Sequence, residues 1–450
     1  MIIKNRSELI TTDLRRRVLD IIEAGIIRVL PPTIMRSAVG YNSDSRTLSL
    51  CDYTYPLSKG RVFVIGGGKA TALMAKTLED ILTPDNITAG IVTCNCKSSD
   101  YKTSRIKIVE AGHPVPDQKG IEGVKEMLAL RERYSIGEND LVISLISGGG
   151  SALMPCPVQG VSLNDKQRIT ELLLSCGAEI CEINTVRKNL SKVKGGRLGL
   201  FFSPTTVVSL ILSDVVRNDL DVIASGPTYP DTSTFFDAYY VLKKYDLLRR
   251  ASKQILDFLR KGCRGDVECT PKVLSNCINF IIGDNMLALE AMAQMAKKMK
   301  LSPYIITAEQ KGETTTIAWL RAKEILNSKY AGHDIILIGG ETTPKLPPMP
   351  GIGGRNQHYA AVSLLAMKEC KPEWVVASVG TDGSDFLPGI AGAIVDSSSL
   401  AKAQACDIDI ESYLDRYDSN RLLRKIAGCL IITGNIPTNV GDVIVYALRP

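Results

Sequence analysis

Apolar positions along the chain fall into two successive series of short runs separated by amphipathic segments. Near the N-terminus, Leu14, Val18, Ile21, Ile22 and Ile26 recur at helical spacing. They predict a helix over 7–30, capped at Ser7 or Thr12. After a polar stretch at 42–58, apolar runs at 61–65, 90–93, 106–109, 141–146 and 207–212 read as buried strands. The segments between them, such as 121–134 and 163–176, read as helices. Strands that are apolar throughout and alternate with helices imply a mostly parallel sheet covered on both faces. A long helical stretch at 234–260 leads to Lys261-Gly262-Cys263-Arg264-Gly265-Asp266, the expected linker. The second series has strand-like runs at 278–282, 304–307, 334–338, 374–379, 391–395, 429–433 and 443–448. Helices are expected at 284–299, 314–329 and 356–370. The pattern predicts an α/β chain with two three-layer α/β/α domains, 1–262 and 263–450. Ligands of such sheets bind beyond the carboxyl ends of the strands. Both halves carry unusual sequence there, so the site is expected in the cleft between the domains.

Composition narrows this little. The chain has 450 residues, 45% hydrophobic and 23% charged, with a net charge of +6. These are values of a soluble globular protein. A small, scattered positive excess offers no nucleic-acid footprint. The densest basic cluster is Arg187-Lys188 with Lys192, Lys194 and Arg197, which reads equally as a solvated helix face or a phosphate site. Twelve cysteines show no zinc spacing and are expected as free thiols. No run reaches the ~18 apolar residues of a membrane span, and the first residues lack a signal core. A cytoplasmic location is therefore expected.

The chemistry-bearing residues gather at strand ends. The run ending at Ile65 passes into Gly66-Gly67-Gly68-Lys69 and then a helix start, an arrangement that receives anions. The run ending at Ile146 passes into Ser147-Gly148-Gly149-Gly150-Ser151. Ser213-Asp214 closes the 207–212 run, and a carboxylate there is costly unless paired or metal-bound. The second half adds Gly339-Gly340-Glu341, Gly353-Gly354-Arg355-Asn356 and Gly380-Thr381-Asp382. Cations for phosphates, carboxylates for Mg²⁺ and backbone donors for oxygens are the parts that phosphoryl transfer needs. There is no Walker A loop, no GxSxG elbow and no HExxH. As a dinucleotide fingerprint, Gly66-x-Gly68-x-x-Thr71 lacks its third small residue. The 90–93 run also ends without an acid. Of the three histidines, His113 sits in the rigid loop Gly112-His113-Pro114-Val115-Pro116-Asp117.

These motifs, with Val186-Arg187-Lys188-Asn189-Leu190-Ser191-Lys192-Val193-Lys194-Gly195-Gly196-Arg197, Ala224-Ser225-Gly226-Pro227-Thr228 and Ala391-Gly392-Ala393-Ile394-Val395-Asp396, occur together in one order. In this the chain resembles the glycerate 2-kinases whose C-terminal half is called the MOFRL domain. The resemblance implies a Rossmann-like N-terminal domain and ATP- and Mg²⁺-dependent phosphorylation of D-glycerate at O2. It places the family's functional lysine on Lys69 and its functional arginine on Arg355. Substrate or nucleotide contacts are expected from Gly67, Gly68, His113, Ser147, Gly148, Gly149, Gly150, Ser151, Arg187, Lys192, Arg197, Glu341, Asn356 and Asn439. Asp214 and Asp382 are the expected metal ligands. The partners are then small molecules, with no nucleic acid and no membrane, and a homodimer is the candidate assembly. The chain departs from the family pattern at Asn218, where glycine is expected, and at His358, where an acid is expected. The rival readings are a hydroxypyruvate reductase, opposed by the defective fingerprint, and a non-catalytic binder of acidic metabolites.

Overall fold

In the computed structural model, which describes residues 1–449, the apolar run at Val62 becomes the strand Val62–Gly67, buried at every position. It lies inside a six-stranded sheet. Ala89–Cys94 and then Ile106–Glu110 lie to one side, and Leu141–Ser147, Thr206–Leu212 and Cys277–Gly283 to the other. The strands from Val62 to Leu212 run parallel. Numbered along the chain, the order is 3-2-1-4-5-6, that of doubly wound nucleotide-binding sheets. The order reverses between Val62–Gly67 and Leu141–Ser147. Both strands run into glycine loops, so the topology brings Gly66–Lys69 and Ser147–Ser151 together at the switch point. Helix Gln118–Arg133 covers one face, its Val124, Met127 and Leu130 packing on Phe63, Ile65, Ile91 and Val142.

A second core in the same unit joins the helices Leu163–Ser175, Ile180–Asn189, Phe235–Lys244 and Lys253–Arg264. The helix expected over 234–260 is therefore two. Asp246 turns the chain at φ 53°, and Ser252 caps the second helix through Ile255 N–H. The expected linker at 261–266 is the end of that helix. Gly265 caps it in the left-handed conformation, and Gly262 lies against the Phe235 ring.

The compact units consequently differ from the division expected at 262/263. One unit is Pro31–Ile282, and the other combines Met1–Leu30 with Gly283 onward. The run at 278–282, read as the start of the second series, is an edge strand of the first sheet. The stretch at 42–58 also holds more structure than its polarity suggested. It contributes to a three-stranded antiparallel sheet, Val39–Asn42, Thr47–Leu50 and Tyr53–Pro56, with Leu48, Leu50 and Tyr55 turned inward.

The predicted N-terminal helix is a short turn, Arg6–Leu9, followed by Asp13–Arg28, which begins where the Thr12 hydroxyl accepts Arg15 N–H. This helix packs on helix Asn285–Lys298 and on strand Asp442–Arg449. Arg15 is 2% exposed and explains the attachment. Its guanidinium donates to Asp396 at 2.5 Å, to the Gly428 carbonyl at 2.6 Å and to Ser399 at 2.7 Å. A buried charge is tolerated only when satisfied in this way.

The sheet of this unit is mixed, in the order Pro303–Gln310, Ile335–Gly340, Asp442–Arg449, Glu373–Gly380, Ile390–Asp396, Leu430–Ile432. Only its first pair is parallel. The last strand of the chain enters the middle in the reverse sense. Asp442, at its start, therefore stands between Gly340 and Gly380, at the ends of its neighbours. No described helix is long and apolar enough to cross a membrane, and the cysteines are free.

Candidate active site

At the switch point of the parallel sheet, the two glycine loops are stitched together by main chain. Lys69 N–H donates to the Gly148 carbonyl at 2.9 Å, and Ala70 N–H donates to the Ser147 hydroxyl at 3.0 Å. Thr71, at the position of the missing third small residue, donates its hydroxyl to the Gly68 and Thr93 carbonyls. Gly148 leaves room for the Asp214 carboxylate, whose Oδ2 lies where a Cβ would stand. Gly149 adopts φ 82°, and a Cβ there would lie 3.0 Å from His113 Nε2 and 3.2 Å from Lys69 Cγ. Lys69, His113, Gly148, Gly149 and Asp214 thus converge on one loop. The Ser151 hydroxyl bonds to Ser225 at 2.6 Å, and Ser225 donates to Asn184. Ala224 and Ser225 both hold positive φ, at 51° and 61°. Strain of this kind, of the order of 1–3 kcal/mol per residue, clusters at functional sites.

The basic cluster divides three ways. Lys188 and Arg197 are structural. Lys188 is buried against Asp221 at 3.0 Å and Asp231 at 3.3 Å. Arg197 donates to the carbonyls of Lys188, Ser191 and Glu268. Lys192 is exposed. Arg187 and Lys194 instead line a cavity of about 380 Å³, together with His113, Gly149, Ser151 and Lys166. Lys166 is 8% exposed and Lys194 2%. Burial pushes the Lys166 ammonium down to about 8, and burial with two neighbouring cations holds Lys194 well below its ordinary value. Among the described residues no carboxylate pairs with either lysine or with Arg187.

In the other unit, residues at the ends of two adjacent strands, Ile335–Gly340 and Asp442–Arg449, hold Arg355. Helix Arg355–Ala366 begins there because Asp385 takes the N–H groups of Asn356 at 3.0 Å and Gln357 at 2.8 Å. Burial pushes the Asp385 carboxyl up to about 6 against those donors. The Arg355 fork grips Asp442 through Nε at 2.5 Å and Nη2 at 3.0 Å, and its Nη1 meets Glu341 at 2.7 Å. Burial opposes the charge, but Asp442 and Glu341 outweigh it and hold the pKa above the usual arginine value. Asn356 is buried and accepts the Ser378 hydroxyl at 2.5 Å, so its side chain is committed inside the fold. Asp382 Oδ1 accepts Ser384 N–H, and Asn439 Oδ1 accepts Gly441 N–H. His358 stacks on Tyr417 with centroids 3.9 Å apart. Burial lowers its pKa to about 4, which leaves it neutral.

Comparison with known proteins now decides the relationship. A domain of unknown function (DUF4147) matches residues 17–260, and the MOFRL family matches residues 334–442. A glycerate 2-kinase of Pyrococcus horikoshii is 40% identical over 86% of this chain and 87% of its own. The chain belongs to the glycerate 2-kinase family. A D-glycerate 2-kinase of Thermotoga maritima is 38% identical over 86% of this chain and 91% of its own. The solved structure of a glycerate kinase from the same organism aligns with a TM-score of 0.84 at 34% identity, covering 96% of this chain and 99% of that one. Sequence reasoning did not single out Lys166, which lines the cavity, Asp442, which grips Arg355, or Asp385, which caps the Arg355 helix. Lys166 did leave a signal. It shares a helix face with Ile169 and Leu173, where a lysine has no business unless something holds its charge.

Proposed function

We propose that the chain transfers the γ-phosphoryl group of ATP to O2 of D-glycerate, giving 2-phosphoglycerate and ADP. The observation that carries this is the convergence of Lys69, His113, Gly148, Gly149 and Asp214 at the switch point of a doubly wound sheet. Phosphoryl transfer is mostly positioning and charge stabilisation. Lys69, whose stem lies against Gly149, neutralises the substrate carboxylate or the phosphoryl oxygens. In the other unit, Asp442 and Glu341 fix the orientation of the Arg355 guanidinium. Such preorganised charge lowers a barrier more than a mobile side chain does.

Mg²⁺ fits this donor set. No group of three or more His, Cys, Asp or Glu among the described residues forms a metal cage. A nucleotide-borne Mg²⁺ needs only one or two carboxylates besides phosphates and waters. Asp214 beside Gly148, or Asp382, would supply them. When bound, the ion neutralises phosphate charge.

The hydroxypyruvate reductase reading fares worse. Strand Ala89–Cys94 ends in a cysteine where a carboxylate would hold a ribose, and Thr71 occupies the fingerprint's third position. The test is ADP release from MgATP with D-glycerate, run beside NADH oxidation with hydroxypyruvate. ADP release without NADH oxidation is the expected result. The reverse pattern would replace the kinase by the reductase.

A further inference from the structure

Three cations line one cavity in the Pro31–Ile282 unit with no partner of opposite charge. Lys166 projects from helix Leu163–Ser175, Arg187 from helix Ile180–Asn189, and Lys194 from the loop that follows. Their charges repel one another. The Lys194 ammonium finds only the Ala224 carbonyl, at 3.4 Å. Unpaired buried charge is strongly destabilising, and a fold that places two such groups beside the half-buried Arg187 on one wall is built to receive an anion. Glu171 also lines the cavity, but it is exposed.

Size and polarity narrow the anion. A volume of about 380 Å³ is that of a site for a drug-sized ligand, and a three-carbon acid would leave most of it empty. The cations lie deep. The apolar residues Val115 and Leu174 also line the cavity and are 57% and 59% exposed, so they form its apolar outer rim. The ligand is therefore polyanionic at one end and flat or apolar at the other. The cavity shares its Gly149 wall with the stem of Lys69, so the anionic end lies toward the glycine loop.

We propose that this cavity is the nucleotide subsite, with Lys166, Arg187 and Lys194 holding the polyphosphate and Val115 and Leu174 flanking the base. The inference rests on the kinase reading and adds where the donor binds. D-Glycerate is then bound elsewhere, by other residues.

Isothermal titration of wild type, Lys166→Met and Lys194→Met with Mg²⁺ and a non-hydrolysable ATP analogue tests it, with D-glycerate titrated separately. Each methionine variant should weaken the analogue roughly ten- to hundredfold, the effect of losing one charge-assisted contact. D-Glycerate affinity should stay within about twofold. Without ligand, both variants should melt at or above the wild-type temperature, because methionine removes an uncompensated buried charge at similar volume. Leu174→Ser, an exposed substitution, should weaken the analogue but leave inorganic tripolyphosphate unchanged. Unchanged analogue binding in all three variants would overturn the inference while the kinase reading stands. Loss of D-glycerate binding instead would reassign the cavity to the hydroxy acid. A wild-type chain with no affinity for the analogue would remove both the inference and the reading beneath it.

Discussion

Arg355→Lys keeps the charge and discards the fork. In the native chain the guanidinium makes two bonds to Asp442 and one ion pair to Glu341, and Asp442 is 3% exposed. An ammonium on a shorter reach satisfies one carboxylate at most and leaves the other Asp442 oxygen buried without its donor. Each bond to a charged group is worth about 1.5–3 kcal/mol, and breaking a buried pair costs about 3–5 kcal/mol. Arg355 is partly solvated, and lysine recovers one contact, so about 3 kcal/mol is the expected loss. For a unit of this size that lowers the melting temperature by roughly 6–12 °C. Calorimetry of the full chain reads the loss directly. Turnover measured at 10 °C, where the variant stays folded, separates catalysis from stability, and kcat/KM should still fall by roughly 10²-fold. An Arg355→Lys protein with wild-type melting and turnover would show that the clamp matters to neither.

Three further outcomes are expected. Lys69→Ala should lower kcat/KM by at least roughly 10²-fold with melting unchanged, as seen when one preorganised charge donor is lost; near wild-type turnover would make Lys69 a bystander. Asp214→Asn should raise the Mg²⁺ concentration for half-maximal rate more than the glycerate KM, and equal Mg²⁺ dependence in Asp214→Asn and Asp382→Asn would reject both as ligands. Glu313 is pushed up by burial, but Tyr417 and the N–H groups it caps outweigh this and hold it at about 2. A depressed acid contributes stability above its unfolded value near 4.5 that disappears as pH falls toward 2. Glu313→Gln should therefore cost about 1 kcal/mol at pH 7, the worth of a helix cap on a largely solvated group, and little at pH 2 in denaturant titrations, and a pH-independent loss would contradict the assignment.

Much of this was legible along the chain because the first sheet is parallel and buried. Its strands read as unbroken apolar runs, and the loops that carry chemistry follow them directly. The glycine loop at Lys69 and the one at Ser147 could be paired only by topology, since 77 residues separate Ala70 from the Ser147 hydroxyl it reaches. The domain boundary was misread for a related reason. The Arg15 bonds to Asp396, Ser399 and Gly428 tie the first helix to the far end of the sequence, and no local composition records such a contact. Asp442 was invisible as a partner of Arg355 because an antiparallel final strand delivers it from 87 residues away. The basic cluster around Arg187 looked uniform. Burial and partners alone distinguish Lys188 and Arg197, which hold the fold, from Arg187 and Lys194, which face a cavity.

The phosphorus spectrum of the product tests the central claim most directly. The chain is incubated with MgATP and D-glycerate, and ³¹P resonances are recorded without proton decoupling. A phosphate on O2 couples to one carbon-bound proton and gives a doublet, which is the predicted result. A triplet, from the two protons beside O3, would place the phosphoryl group on the other hydroxyl. A spectrum holding nothing beyond unreacted ATP would contradict the kinase itself.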